Sequence, residues 1–110
     1  MAEQGKLKLH VIEALLTRDT ELFGKMDPWV KIETRQTKLR TRTLNGAGKT
    51  PKWEEVFDID VKYIGDDLTI GVYDEDVTCS DTVGTTIVKI SSFCANGGID
   101  EWFPIFWKGK

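Results

Sequence analysis

Period-two alternation of apolar and polar residues runs through most of this chain, and it restricts the fold more than any other feature. In KLKLHVIEA, residues 6 to 14, Leu7, Leu9 and Val11 alternate with Lys8 and His10. Side chains repeat every two residues along a strand, so the segment is a strand with one buried face and an outward-pointing His10. PWVKIET sets Val30 and Ile32 against Trp29, Lys31 and Glu33, and QTKLRTRT sets Leu39, Thr41 and Thr43 against Lys38, Arg40 and Arg42. WEEVFDIDV gathers Phe57, Ile59 and Val61 on one face, and DLTIGVYDED does the same with Leu68, Ile70 and Val72. GTTIVKI is a β-branched run suited to a further strand. EWFPIFWKGK is an aromatic last strand in which Pro104 marks an edge or an irregularity. A helical period nowhere persists beyond about two turns. Seven strands without repeats, linkers or low-complexity tracts predict an all-β protein, an antiparallel β-sandwich, over 1-110 as a single domain.

Chemistry concentrates after the strand DLTIGVYDED, in the loop YDEDVTCSDTVG, residues 73 to 84, with Asp74, Asp76 and Asp81. Asp74 and Asp76 share the parity of Leu68, Ile70 and Val72, so both carboxylates leave the end of one buried face, about 7 Å apart along the chain. At an effective dielectric near 20, like charges about 4 Å apart repel by roughly 4 kcal/mol, so clustered carboxylates call for a cation. A hard divalent ion such as calcium takes about six to eight oxygens from flexible loops. An acidic hairpin tip without a ligand is the plain alternative, because Asp, Ser, Thr and Gly are ordinary turn residues.

Composition narrows the function classes. The net charge is −3 and the pI near 5.1, so bulk attraction to nucleic acid or to an anionic surface is not expected, and such binding has to come from local patches. Cys79 and Cys94 lack CxxC spacing and read as reduced thiols. The start, MAEQGKLK, has no apolar signal core, and no stretch of 18 apolar residues occurs, which predicts a cytoplasmic chain. NGAGKT, residues 45 to 50, resembles the end of a phosphate-binding loop, but Thr43 stands where that loop needs Gly and Pro51 follows where it needs a helix. A Gly-rich turn accounts for it. An acid and base pair of carboxylates would need a substrate pocket that acids on loop tips do not provide, and the lone His10 completes no nucleophilic set. The chain is therefore not expected to be an enzyme.

Several segments together resemble one family. LKLHVIEALL, FGKMDPWVKI, KLRTRT, TPKWEEVFDIDV, LTIGVYDED, SDTVGTTIVKI and EWFPIF follow one another as in a C2 domain, across nearly the whole chain. GKMDPWVKI resembles the family signature G-x-S-D-P-Y-V-K, and TPKWEEVF resembles N-P-x-W-N-E-x-F. The resemblance implies a C2-domain-like Greek key of eight antiparallel strands whose loops at one end bind calcium and meet phospholipid. In the type II-like strand order that this chain follows, the eighth strand comes last, and the chain stops at WKGK where that strand would start, which is the expectation of a truncated fragment or an unusual edge. The implied ligands are Asp27 in the first loop and Asp74, Asp76 and Asp81 in the third. Glu21, six residues before Asp27, stands where the family usually has Asp. Asp19 is a partial substitute, and the third loop is one residue shorter than the commonest pattern. At least one bound calcium is expected.

On this reading calcium offsets the acidic end and accepts phosphate oxygens from anionic phospholipid, so the chain is reversibly recruited to membranes. Leu22, Phe23 and Val77 are the apolar residues placed to enter the headgroup boundary, packing between loops being their other reading. Lys38, Arg40 and Arg42 match the family's basic strand, which in some members binds phosphoinositide headgroups. The alternative function is a calcium-independent docking module for protein partners or phosphoinositides.

Overall fold

The computed structural model describes residues 5–21, 24–63, 65–93 and 100–107. Its strands are β1 (Gly5–Glu13), β2 (Pro28–Glu33), β3 (Lys38–Arg40), β4 (Lys52–Val61), β5 (Asp67–Glu75) and β6 (Ser80–Lys89), followed by a 3-10 turn at Ile90–Phe93. β1 and β4 form a two-stranded antiparallel sheet, and the second sheet runs in the order β3-β2-β5-β6, again antiparallel throughout.

The alternation dictates how the sheets meet. Val30 and Ile32 of β2, Leu68 and Val72 of β5 and Val83 of β6 are buried together with Trp53, Ile59 and Val61 of β4. The sandwich core thus comes from the odd or even set that the sequence marks on each strand. Trp53, 1% exposed, is the largest fully buried side chain, and its indole N–H donates to the carbonyl of Pro28, 3.3 Å away. Its burial anchors β4 of one sheet to the start of β2 in the other. His10 is exposed, as its position in the alternation requires.

Three features depart from the expected strand plan. β6 begins at Ser80 rather than Gly84, so the β5–β6 hairpin extends further and Asp81 lies within it, opposite Asp74. β3 is only three residues long and ends at Arg40. The predicted seventh strand is reduced among the described residues to one bridge between Thr85 and Phe106. Pro104 lacks the N–H that a ladder needs, which accounts for the missing pairing beside it.

The ladder between β1 and β4 also shifts register: Val11 faces Glu55 while Glu13 faces Lys52. Within this bulge Glu54 adopts φ +50°, the left-handed region that costs a non-glycine residue roughly 1–2 kcal/mol. Glu54 is exposed and no contact offsets that cost among the described residues. Glu54→Gly is expected to raise stability by about 0.5–1 kcal/mol in urea unfolding, because the released strain exceeds the entropy glycine adds to the unfolded chain. A loss of stability would mean that the Glu54 side chain supports the bulge.

Candidate metal and membrane site

At one end of the sandwich the β5–β6 hairpin meets the chain leading into β2. Asp74 ends the buried face of β5 at 1% exposure. Two donors hold it there: the Thr20 hydroxyl donates to Oδ2 and the Asp27 backbone N–H donates to Oδ1, both at 2.7 Å. The backbone adds a third tie, since the Glu75 N–H donates to the Asp27 carbonyl at 3.0 Å. The loop before β2 is thereby fixed against the end of β5.

Three carboxylates converge at this point. Oxygens of Glu21, Asp74 and Asp81 lie within 4.8 Å of one another. Calcium binds oxygen at about 2.3–2.6 Å, so ligands on opposite sides of one ion stand about 4.6–5.2 Å apart, and this donor set fits such an ion. Hard carboxylate oxygens without His or Cys also suit calcium or magnesium rather than zinc.

Without a cation the cluster is resolved by a proton. Glu21 is pushed up to about 7, first by its hydrogen bond to Asp74 and the Asp74 charge, and further by burial and by Asp76 and Asp81. For Asp74 the largest influence is burial, which pushes its pKa up, but the hydrogen bonds from Glu21, Thr20 and the Asp27 N–H together outweigh it and hold the carboxyl below its ordinary value. The pair therefore shares a proton carried by Glu21, and Asp74 stays ionised.

The other acidic candidates have local partners. Asp27 accepts from the Gly46 N–H at 2.7 Å, and Asp76 accepts from the adjacent Val77 N–H at 2.7 Å. Asp19 accepts from the Glu21 N–H at 3.0 Å, an Asx turn that presents Glu21. The Gly-rich stretch at 44–48 is a turn in which Gly46 and Gly48 take φ +72° and +66°, which explains the glycines. Its Gly46 N–H places Asp27, a link that spacing alone could not disclose.

Val77 stands at the hairpin tip, 99% exposed. Leu22 and Phe23 lie outside the described residues, as does Cys94; Cys79, in the same tip as Val77, is a free, exposed thiol.

The basic strand divides. Lys38 pairs with Glu33 at 3.7 Å, and Arg40 pairs with Glu75 at 3.6 Å. Arg42, past the end of β3, turns to β4: it donates to the Trp53 carbonyl at 3.1 Å and pairs with Glu55. Two aromatic residues not singled out in the sequence join Arg40 and Lys31. Trp29 and Tyr73 face each other across β2 and β5 with ring centroids 4.8 Å apart. The Arg40 guanidinium lies 3.9 Å from the Trp29 ring centre, and Lys31 lies 5.1 Å from that of Tyr73. Gly71 leaves room for this arrangement, because a Cβ there would stand 2.7 Å from the Tyr73 ring.

A β-sandwich that gathers carboxylates where its loops converge is suited to holding a hard cation. The C2 domain family profile matches residues 5–105, and the chain belongs to that family. It is 35% identical over 109 residues to extended synaptotagmin-1 of Rattus norvegicus, covering 93% of this chain and 10% of that protein. Against extended synaptotagmin-3 of Xenopus tropicalis it is 32% identical over 108 residues, covering 92% and 12%. The chain thus spans about a tenth of the length of these relatives. The calcium-bound structure of the C2A and C2B domains of extended synaptotagmin 2 superposes with a TM-score of 0.83 at 28% identity, covering 92% of this chain and 40% of that one. Among the described residues no helix is long and apolar enough to cross a membrane.

The shared proton makes a prediction about the metal-free protein. Because Glu21 is raised in the folded chain, its contribution is complete below its ordinary value of 4.5 and is lost as pH rises through about 7. Glu21→Gln keeps a donor toward Asp74 and has no charge to gain. Thermal unfolding in chelator is expected to match wild type near pH 4.5 and to show the variant more stable at pH 8. Parallel curves for the two proteins across this range would refute the shared proton.

Proposed function

We propose that this chain is a calcium-dependent membrane-binding C2 domain that docks on anionic phospholipid through its acidic end. The observation that carries this reading is the convergence of the Glu21, Asp74 and Asp81 oxygens within 4.8 Å, on the end of the sandwich from which Val77 projects. Glu21, Asp74 and Asp81 would hold the ion, with Asp27 and Asp76 beside them. Among the described residues, the carboxylates of both are engaged only with backbone N–H groups of exposed turns. Bound calcium supplies positive charge and open positions for phosphate oxygens. The carboxylates repel an anionic surface until that charge is offset, so recruitment is conditional on the cation. Val77 then enters the headgroup boundary, where burying a valine side chain contributes at most about 1.5–3 kcal/mol.

Cosedimentation with phosphatidylserine vesicles tests this. Wild type is expected to sediment with calcium and to stay in solution with chelator. Asp81→Asn is expected to remove most calcium-driven sedimentation while leaving the fold intact, since it relieves repulsion across from Asp74. Val77→Asp is expected to weaken vesicle binding about tenfold without changing calcium binding by calorimetry. Calcium-independent sedimentation of wild type, or none under either condition, would favour the docking-module function instead.

A second reading, phosphoinositide binding on the outer face of the four-stranded sheet, is favoured by Arg40 and Lys31 lying against the Trp29 and Tyr73 rings, with Lys38 on the same strand as Arg40. In their ion pairs the Lys38 and Arg40 cations are exposed and Lys31 is half-buried; exposed pairs contribute about 0–1 kcal/mol, so Lys38 and Arg40 exchange readily for a phosphate. Each cation near an anionic surface contributes about 1 kcal/mol, so Lys38→Ala with Arg40→Ala is expected to cost roughly tenfold to thirtyfold in binding to phosphoinositide vesicles. Binding to phosphatidylserine with calcium should change far less. Equal losses on both vesicles would assign the patch to general charge.

A further inference from the structure

Glu33, the last residue of β2, stands opposite Lys38 of β3 and two residues after Lys31, so register and parity place all three on the outer face of the four-stranded sheet. Its carboxylate is divided between the two lysines: Oε1 lies 3.8 Å from the Lys31 ammonium, and Oε2 lies 3.7 Å from that of Lys38. One carboxylate thus spans both, as the oxygens of a phosphate would. On its other side Glu33 borders an open cavity of about 420 Å³, lined also by Thr34, Arg35, Asp66, Asp67 and Thr69. Arg35 is fixed there, since its Nη2 donates to Asp66 Oδ1 at 2.7 Å and its guanidinium lies 5.7 Å from the Tyr63 ring centre. A guanidinium carries five N–H donors, so it takes a second carboxylate without releasing Asp66. We propose that Glu33 is a latch on the basic outer face: it occupies Lys31 and Lys38 until a phosphoinositide headgroup phosphate displaces it, and then turns across the cavity to Arg35.

The latch rests on the phosphoinositide reading of that face and adds to it the group that opposes binding. The two Glu33 pairs are long, and both Glu33 and Lys38 reach solvent, so the contact is weak enough to exchange. An incoming phosphate meets the Glu33 charge directly, and a carboxylate left beside it would repel it. Rotation toward Arg35 removes that repulsion and gives the carboxylate a planar fork in place of two point charges. The cavity lined by both residues leaves room for the turn. The neighbouring carboxylates are committed elsewhere: Asp66 is 8% exposed and bonded to Arg35, and Asp67 pairs with Lys89 at 2.9 Å.

The test uses the whole chain in chelator, so that the acidic end takes no part, with phosphatidylcholine vesicles carrying phosphatidylinositol 4,5-bisphosphate. Glu33→Gln is expected to bind about fivefold more tightly than wild type, because one negative charge leaves a face turned to an anionic surface. Asp67→Asn, in the same cavity but paired with Lys89, is expected to change binding by about twofold or less. Arg35→Gln, checked for fold by circular dichroism, is expected to weaken wild type about threefold and to leave Glu33→Gln unchanged, since Arg35 acts only through the carboxylate it receives. Unchanged binding of Glu33→Gln, an equal gain in Asp67→Asn, or the same Arg35→Gln loss in both backgrounds would overturn the latch and leave the phosphoinositide reading in place. Absence of binding by wild type and Glu33→Gln alike would remove that reading and the latch with it. Calorimetry with free inositol 1,4,5-trisphosphate separates a membrane from a soluble ligand. Binding about tenfold weaker than to vesicles is expected, because a vesicle presents many headgroups at once. Binding as tight as to vesicles would assign the face to a soluble inositol phosphate and overturn the membrane assignment.

Discussion

Burial of one carboxylate, Asp74, sets the conditions for the whole acidic end. Its side chain continues the inward face of β5, where the preceding members of the series are Leu68, Ile70 and Val72, and it is tolerated there because the Thr20 hydroxyl and the Asp27 N–H each donate to one of its oxygens. Those two donors belong to the chain between β1 and β2, so the ionised form of Asp74 is what holds that segment against the β5–β6 hairpin. Asp81, its register partner, and Glu21 then sit where like charge is unfavourable. The arrangement has two ways to relax, a proton on Glu21 or a cation among all three residues. Thermodynamic linkage makes these compete, so occupancy by metal must expel the proton.

Period two was a sufficient guide to the strands because both sheets bury one face, and a one-residue slip would have turned Leu68, Val72 and Asp74 outward. It was a poor guide to where strands stop. Ser80, Asp81 and Thr82 have the composition of a loop, yet they pair with β5 because the hairpin closes over a tip of four residues, Asp76 to Cys79. Lys38, Arg40 and Arg42 share parity, but β3 ends at Arg40, and Thr41 stays beside β2 through bonds of its hydroxyl and N–H to Val30. Parity no longer fixes a side chain's direction past the end of the strand, and Arg42 finds Glu55 rather than the lysine face. EWFPIF has the aromatic content of a strand, and Trp102 is nevertheless 62% exposed, because hydrophobicity does not supply the ladder N–H that Pro104 lacks.

The candidate site was legible as residue types and illegible as geometry. Three of five acidic residues converge because Glu21, in a loop, can reach the Asp74 and Asp81 pair that strand register fixes. Asp27 and Asp76 are spaced equally well in sequence, but each has an N–H close at hand, from Gly46 and from Val77. Such a hydrogen bond leaves a carboxylate with other lone pairs to offer, so it orients the group without consuming it. The Trp29 and Tyr73 stack was hidden for a different reason: the rings are 44 positions apart, and only the β2 and β5 register makes them neighbours.

That register also separates two chemistries on one pair of strands. Along β2, Trp29 and Lys31 face outward where Pro28 and Val30 face inward; along β5, Tyr73 faces outward between the inward Val72 and Asp74. Anionic chemistry is therefore collected at the end of the sheet and cationic chemistry on its outer face, within a few residues of each other. Arg40 joins them, lying over the Trp29 ring while its guanidinium reaches Glu75, the residue between Asp74 and Asp76. A charge change at the acidic end alters the field at Arg40, and this exposed pair is weak enough to rearrange. On the proposed function, neutralising the carboxylates and freeing Arg40 for phosphate act in the same direction. A membrane that carries both headgroup types would then engage one rigid sheet at its end and its face together, with little additional ordering cost for the second contact.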